Sequence, residues 1–209
     1  RVMGSGYDSG WQALDGAGDG SWISSAALAE GDHNVSIRAT DLSAASNVAT
    51  DVNVSTFSLT DLTEPNIVVD SITAAGDPDV ADIISIQTTL TDWAGIASGV
   101  YRIQGPDAYD SGWLALDGAG DATWDSSVAP SGEEGVYTVN IRATDASAAA
   151  NLADPAGDEG SFTLTDATAP VIVVDSITAA GDPDVGDPIT IQTTLTDWAG
   201  VAIGDYRIQ

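Results

Sequence analysis

Apolar and polar residues alternate over several short stretches of the chain. Ile84, Ile86, Thr88 and Leu90 alternate with Ser85, Gln87 and Thr89, and Tyr137, Val139, Ile141 and Ala143 alternate with Thr138, Asn140 and Arg142. A period of two predicts half-buried β-strands. The segments 68–72, 100–104, 113–116, 122–124 and 160–165 supply further short strands. Clusters of Gly, Asp, Pro and Ser separate them, as in AAGDPD from Ala74 to Asp79 and LDGAGD from Leu116 to Asp121. These are the residues of tight turns. No stretch sustains a helical period, and β-branched residues fill the apolar runs, which argues against a parallel α/β fold. About seven short strands in a hundred residues predict an antiparallel β-sandwich.

The pattern repeats. Val68 to Gln104 recurs as Val173 to Gln209 with six differences in thirty-seven positions, YDSGW at Tyr7 recurs at Tyr109, and IRATD at Ile37 recurs at Ile141. The step is about a hundred residues, the size of a sandwich domain rather than a solenoid turn. TDLTEP at Thr60–Pro65 and TDATAP at Thr165–Pro170 have the composition of linkers, since Pro ends a strand and stiffens a connection. The expected division is therefore 1–62 as the C-terminal part of one repeat, 63–166 as a complete repeat and 167–209 as the N-terminal part of a third. The partial pieces either belong to a longer continuous array or are completed by neighbouring chains. Arg207, Ile208 and Gln209 occupy the same repeat positions as Arg1, Val2 and Met3, so halves from neighbouring chains compete for three places, which favours the continuous array.

Charge narrows the partners. Thirty-two acidic residues stand against five basic ones, all Arg, for a net charge of -27. Nothing here can neutralise a run of phosphates, so nucleic acid is excluded as a partner. Such a surface attracts cations and suits a saline or calcium-rich medium. Cysteine is absent, so stability comes from packing and from any bound ions. No apolar run approaches the eighteen or so residues of a membrane-spanning helix.

Catalytic chemistry finds little support. With one His, no Cys and no Lys, nucleophilic triads and Schiff bases lack their residues. His33 has no evident orienting partner and reads as a structural position. Carboxylate pairs recur in every copy inside turn sequences, where backbone geometry explains them better than an active site does. The chain is not expected to be an enzyme. The repeated tryptophans, Trp11 with Trp113, Trp22 with Trp124 and Trp93 with Trp198, read as core or sheet-face packing, with carbohydrate stacking as the alternative.

The run GVYTVNIRATDASAAANL from Gly135 to Leu152, followed by FTLTDATAP from Phe162 to Pro170, resembles the last two strands and outgoing linker of prokaryotic immunoglobulin-like repeats. Those families build long arrays in bacterial and archaeal surface proteins and adhesins, and cadherins are more distant relatives in architecture. Glu133 to Tyr137 resembles the tyrosine corner of Greek-key sandwiches, with His33 in that place in the first copy. The fold implied is all-β, made of tandem immunoglobulin-like antiparallel β-sandwich repeats. In that fold the incoming linker, the loop after the second strand and the loop between the last two strands share one end. Here those places hold Asp61 and Glu64, then Asp92, then Asp145. The opposite end presents Asp77 and Asp79, with Glu134 nearby, toward the next linker and its Asp166 and Asp197. The resemblance to cadherin junctions implies that these carboxylates are candidate structural calcium ligands, since calcium needs six to eight oxygens converging from several loops. The plainer alternative is that each Asp caps its own turn, and Asp117 and Asp121 are read that way.

Asn34-Val35-Ser36 and Asn53-Val54-Ser55 fit the glycan acceptor pattern, and Asn34, on the outward parity of its strand, is the better candidate. The function expected is that of a structural segment in an extracellular or cell-surface stalk, sheath or filament. The alternative is a calcium-stiffened adhesin module binding carbohydrate or another cell surface. Its expected partners are its own kind, through self-association or continuation of the chain into a longer array.

Overall fold

The structure, a computed structural model, describes the chain except for Ser5, residues 25–28, Ala156 and Asp158, and except for the side chains of Asp51 and Asn53. It is all-β, with 45% strand and 5% helix, and its sheets are sandwich-like in character and antiparallel save for one short parallel pairing. The second glycan triplet, at Asn53, lies outside the described side chains. No helix among the described residues is long and apolar enough to cross a membrane.

Two compact units emerge. One comprises Arg1–Asn66, Leu90–Ser98 and Ala143–Ala153, and the other Ile67–Thr89, Gly99–Arg142 and Asp154–Gln209. The first unit contains β1 (Val2–Gly4), β2 (Tyr7–Asp8), β3 (Gly31–Thr40) and β4 (Val48–Leu59), in a sheet of order β2-β1-β3-β4. Along the rest of the chain follow β5 (Asn66–Ile72), β6 (Ala75–Gly76), β7 (Ile83–Thr91), β8 (Ile96–Gln104), β9 (Leu114–Ala115), β10 (Ala122–Asp125), β11 (Gly135–Asp145), β12 (Leu152–Ala153) and β13 (Gly160–Leu164). Two sheets result, β10-β7-β5 and β6-β13-β11-β8-β9, with β12 paired to the end of β11. Finally β14 (Val171–Ile177) and β15 (Ile191–Thr196) form a two-stranded antiparallel sheet.

The expected alternation holds where it matters most. Tyr137, Val139, Ile141 and Ala143 on β11 are buried while Thr138, Asn140 and Arg142 are half-exposed, and Ile84, Ile86 and Thr88 on β7 are buried. Leu90, at the end of the β7 run, is only half-buried. The core between the sheets β10-β7-β5 and β6-β13-β11-β8-β9 is aromatic. Tyr137 stacks on Phe162 with centroids 5.5 Å apart and planes 12° apart, and Trp124 from β10 meets both rings at 6.0 and 5.5 Å. Gly105 makes room for this stack, since a Cβ there would lie 2.2 Å from Tyr137 Cε1. The first unit has the same arrangement one repeat earlier, with His33 in place of the tyrosine. His33 stacks on Phe57 at 5.5 Å and 16°, Trp22 lies against both, and a Cβ at Gly4 would lie 2.9 Å from His33 Cδ2. His33 is therefore a fully buried packing residue, as its sequence context suggested.

The tyrosine corner is present. Tyr137 Oη donates to the carbonyl of Glu133 at 2.9 Å, tying β11 to the turn before it. Tyr137→Phe keeps the ring and leaves that partly buried carbonyl without its donor, so it should cost about 1 kcal/mol of stability. Urea denaturation of the two forms measures this directly, with the slope expected to stay unchanged.

The tryptophans divide between core and sheet face. Trp124 is buried, whereas Trp113 lies on a sheet face under Arg142, 4.1 Å from guanidinium to ring centre, and Trp11 lies likewise under Arg38 at 4.5 Å. Four of the five arginines are thus spent on aromatic faces or on carboxylates, as in the Arg102–Asp110 and Arg142–Asp154 pairs.

Candidate functional site

The first carboxylate group is Asp61, Asp92 and Asp145, each offering an oxygen within 4.8 Å of the others. Asp145 ends β11 and is buried. Its Oδ1 accepts from the amide and hydroxyl of Ser147 at 3.1 and 2.8 Å and from the Asn151 amide at 2.9 Å, and its Oδ2 accepts from Asn151 Nδ2 at 2.7 Å. Burial alone would raise the pKa of this carboxyl, but the Ser147 and Asn151 hydrogen bonds outweigh it and hold Asp145 below the usual carboxylate range. Asn151 Nδ2 also donates to the Asp61 carbonyl at 3.1 Å.

Asp92 sits in the turn after β7, where its Oδ1 accepts from the Ala94 amide at 2.7 Å. Its pKa is raised, first by burial and then by the neighbouring Asp61 and Asp145 carboxylates. Asp61 Oδ2 is buried and receives no hydrogen bond. An acceptor facing other acceptors is the arrangement a cation relieves.

Three contributors escaped sequence reasoning. Glu30 accepts from the Asp61 amide through Oε1 at 2.5 Å and from the Ala148 amide through Oε2 at 2.8 Å, clamping the linker to the loop after β11. Ser147 and Asn151 lock Asp145 in place. Their signal was available, because Asp-x-Ser-x-x-x-Asn occurs twice. Asp41, Ser43 and Asn47 make the same network one repeat earlier, with distances of 2.7 to 3.1 Å.

The second group is Asp77, Asp79 and Asp166, again with oxygens within 4.8 Å. Asp77 caps the 3-10 turn Pro78–Val80, accepting from the Asp79 amide at 3.0 Å, and its Oδ2 accepts from Thr168 Oγ1 at 2.9 Å. Asp166 Oδ1 accepts from the Thr168 amide at 3.0 Å and its Oδ2 from the Ala199 amide at 3.3 Å. Glu134 enters as the acceptor for the Asp166 amide, at 2.6 Å. Asp197 has its pKa raised, first by burial, then by a hydrogen bond shared with Asp166 and by the charges of Asp166 and Asp79. The structure thus gathers eight of the nine sequence candidates into or beside two groups. Glu64 is exposed and belongs to neither among the described residues.

Capping and clustering coexist in these groups. Most of the Asp residues bond their own turn, as the alternative explanation required, and carboxylate oxygens also converge from separate loops. The LDGAGD loop joins neither group: Asp117 Oδ1 caps the turn by accepting from the Ala119 and Asp121 amides at 2.8 and 2.9 Å, as Asp15 does for Ala17 and Asp19, and Asp121 Oδ1 accepts from the Thr88 amide of β7 at 3.1 Å. Calcium ligands lie about 2.3–2.6 Å from the ion, so two of them are at most about 5 Å apart. Both groups fit that limit. Asp145 would offer the remaining lone pair of Oδ2, Asp61 its unbonded Oδ2 and Asp92 its free carboxylate oxygen. The half-exposed Asn34 lies on β3, between Met3 of β1 and Thr56 of β4.

No family model matches the sequence, and no curated protein or solved structure matches it.

Proposed function

We propose that the chain is a segment of tandem immunoglobulin-like β-sandwich repeats in an extracellular or cell-surface stalk, sheath or filament. Its role is reach, rigidity and contact between subunits, and it carries no catalytic centre of its own. The observation that supports this reading best is the recurrence of one linker attachment at the repeat step. The Asp61 amide donates to Glu30 at 2.5 Å and the Asp166 amide to Glu134 at 2.6 Å, each beside a loop Asp of raised pKa, Asp92 or Asp197. A site that reads a ligand is ordinarily unique in its protein, whereas a joint must be made identically at every step. Calcium held by the two carboxylate groups would stiffen these joints, by replacing mutual repulsion with shared coordination.

Short linkers containing Pro leave successive repeats little freedom to fold back. Small-angle scattering from a chain carrying the hundred-residue unit in several copies should report a rod whose length grows linearly with copy number. A radius growing as for one compact folded domain would overturn the proposal.

A further inference from the structure

The two linkers are held by the same device, and each displays a different part of it. Glu30 stands just before β3 and Glu134 just before β11, each followed by a glycine at positive φ, 106° at Gly31 and 137° at Gly135. Glycine alone takes that conformation without strain, so both strands leave their glutamate through the same kind of turn. At the first linker the glutamate is used twice. Its Oε1 accepts from the Asp61 amide at 2.5 Å and its Oε2 from the Ala148 amide at 2.8 Å, while Asn151 Nδ2 donates to the Asp61 carbonyl at 3.1 Å. Glu30 precedes the linker, Asp61 lies in it, Ala148 and Asn151 follow it, and all four belong to one compact unit. One carboxylate therefore ties the end of one repeat both to the linker and to the loop after β11 of the next.

At the second linker the preceding side is displayed more fully. The amides of Asp166, Ala167 and Thr168 donate in turn to Glu134 Oε1 at 2.6 Å, Asp77 Oδ2 at 3.3 Å and Asp166 Oδ1 at 3.0 Å. Ser131 Oγ donates to the Trp198 carbonyl, and the Ala199 amide donates to Asp166 Oδ2 at 3.3 Å. These residues too belong to a single unit. Glu134 is exposed, and its Oε2 takes no hydrogen bond among the described residues. The repeat positions of Ala148 and Asn151 come round again only past residue 209.

We infer that Glu30 and Glu134 are the clamps of one three-way joint, and that the surface around Glu134 is the docking face for the following repeat of the same chain, whose counterpart of Ala148 donates to Glu134 Oε2. The inference rests on the repeat reading above and names the contact that fixes one repeat on the next. A carboxylate suits this place even among other acids. Backbone N–H groups donating to an ionised carboxylate make charge-assisted bonds, roughly twice as strong as neutral ones. With its amides held from the preceding repeat and its Asp carbonyl from the following one, the linker keeps no free hinge, which is a stronger constraint than Pro alone supplies.

Hydrogen exchange on the intact chain tests the clamp. Ala148 is exposed, so the protection of its amide depends on Glu30. Glu30→Ala should speed exchange at Asp61 and at Ala148 together, each by about tenfold or more, while the ladder between Tyr137 and Phe162 keeps its rate. Glu30→Gln retains a single acceptor oxygen, so one of the two amides should stay slow and the other be released. Faster exchange at Asp61 alone in Glu30→Ala would reduce Glu30 to a cap of the linker, and unchanged exchange at both would leave no clamp; either result overturns the inference. General acceleration through β3 in both variants would assign Glu30 to the fold of its own repeat, and overturns it as well. In the chain carrying several copies of the unit, Glu134→Ala at every joint should shorten the average length seen by scattering, whereas Asp117→Ala at every turn should not. An unchanged length would overturn the docking role of Glu134. The two readings fail separately: a compact wild-type multi-copy chain sinks the repeat reading, whereas a rod whose Glu30→Ala exchange is unchanged sinks the clamp and leaves that reading standing.

Discussion

Phe162→Ala should destabilise the complete copy by about 3–5 kcal/mol, the range for deleting a buried aromatic side chain. Phe162 is almost wholly buried, stacked on Tyr137 and in contact with Trp124, and the surrounding strands are held by ladders on both sides. Little can collapse into the space left. Phe57→Ala removes the same atoms from the repeat-equivalent place, where the ring is only half-buried. Its cost should be clearly smaller, because part of that surface already faces water. Urea denaturation followed by tryptophan fluorescence tests the contrast, and equal losses would mean that the two stacks are equally enclosed.

Calcium should raise the melting temperature by acting on the ionised carboxylates of the two groups. At a hundredfold excess over its dissociation constant each site contributes about 2.7 kcal/mol. Asp92→Ala should abolish most of the gain at the first group, whereas Asp117→Ala should keep it, because Asp117 serves only its own turn. The pH dependence has a definite sign. The folded-state pKa of Asp92 lies above its unfolded value, so without calcium its contribution is fully present at low pH. That contribution is lost as pH rises past the ordinary carboxylate range and through the raised value. Calcium binds the ionised form and should remove this decline. Calorimetry with calcium and with a chelator, at matched ionic strength, decides the matter. An equal gain from sodium would show that these carboxylates only screen and solubilise.

The parts of the fold legible in the sequence were those governed by local period. β7 and β11 show their inward residues through strict alternation, and turns such as LDGAGD show themselves through Asp and Gly. The parallel pairing of β6 with β13 was not legible, because it joins a two-residue strand to one nearly ninety positions away and carries no pattern of its own. The acidic groups were legible only through the resemblance to immunoglobulin-like repeats, which implies that three loops share one end. Glu30 was missed because its partner is a backbone amide thirty-one residues on, and a backbone donor leaves no trace in composition. Asn151 and Ser147 were written plainly in a motif that occurs twice, but that motif only gains meaning once the loop closes around Asp145.

The parallel pair has a mechanical consequence. Thr163 and Leu164 of β13 lie beside Ala75 and Gly76 of β6, and the amides of Thr163 and Thr165 donate to the carbonyls of Ala74 and Gly76 at 3.0 and 3.1 Å. The complete copy is entered through β5, just before β6, and left through β13. Tension applied at its two linkers therefore drags β6 and β13 along each other in opposite directions, loading their hydrogen bonds together in shear. A hairpin pulled at its open end would unzip one bond at a time. Bonds loaded side by side in this way resist together rather than in sequence.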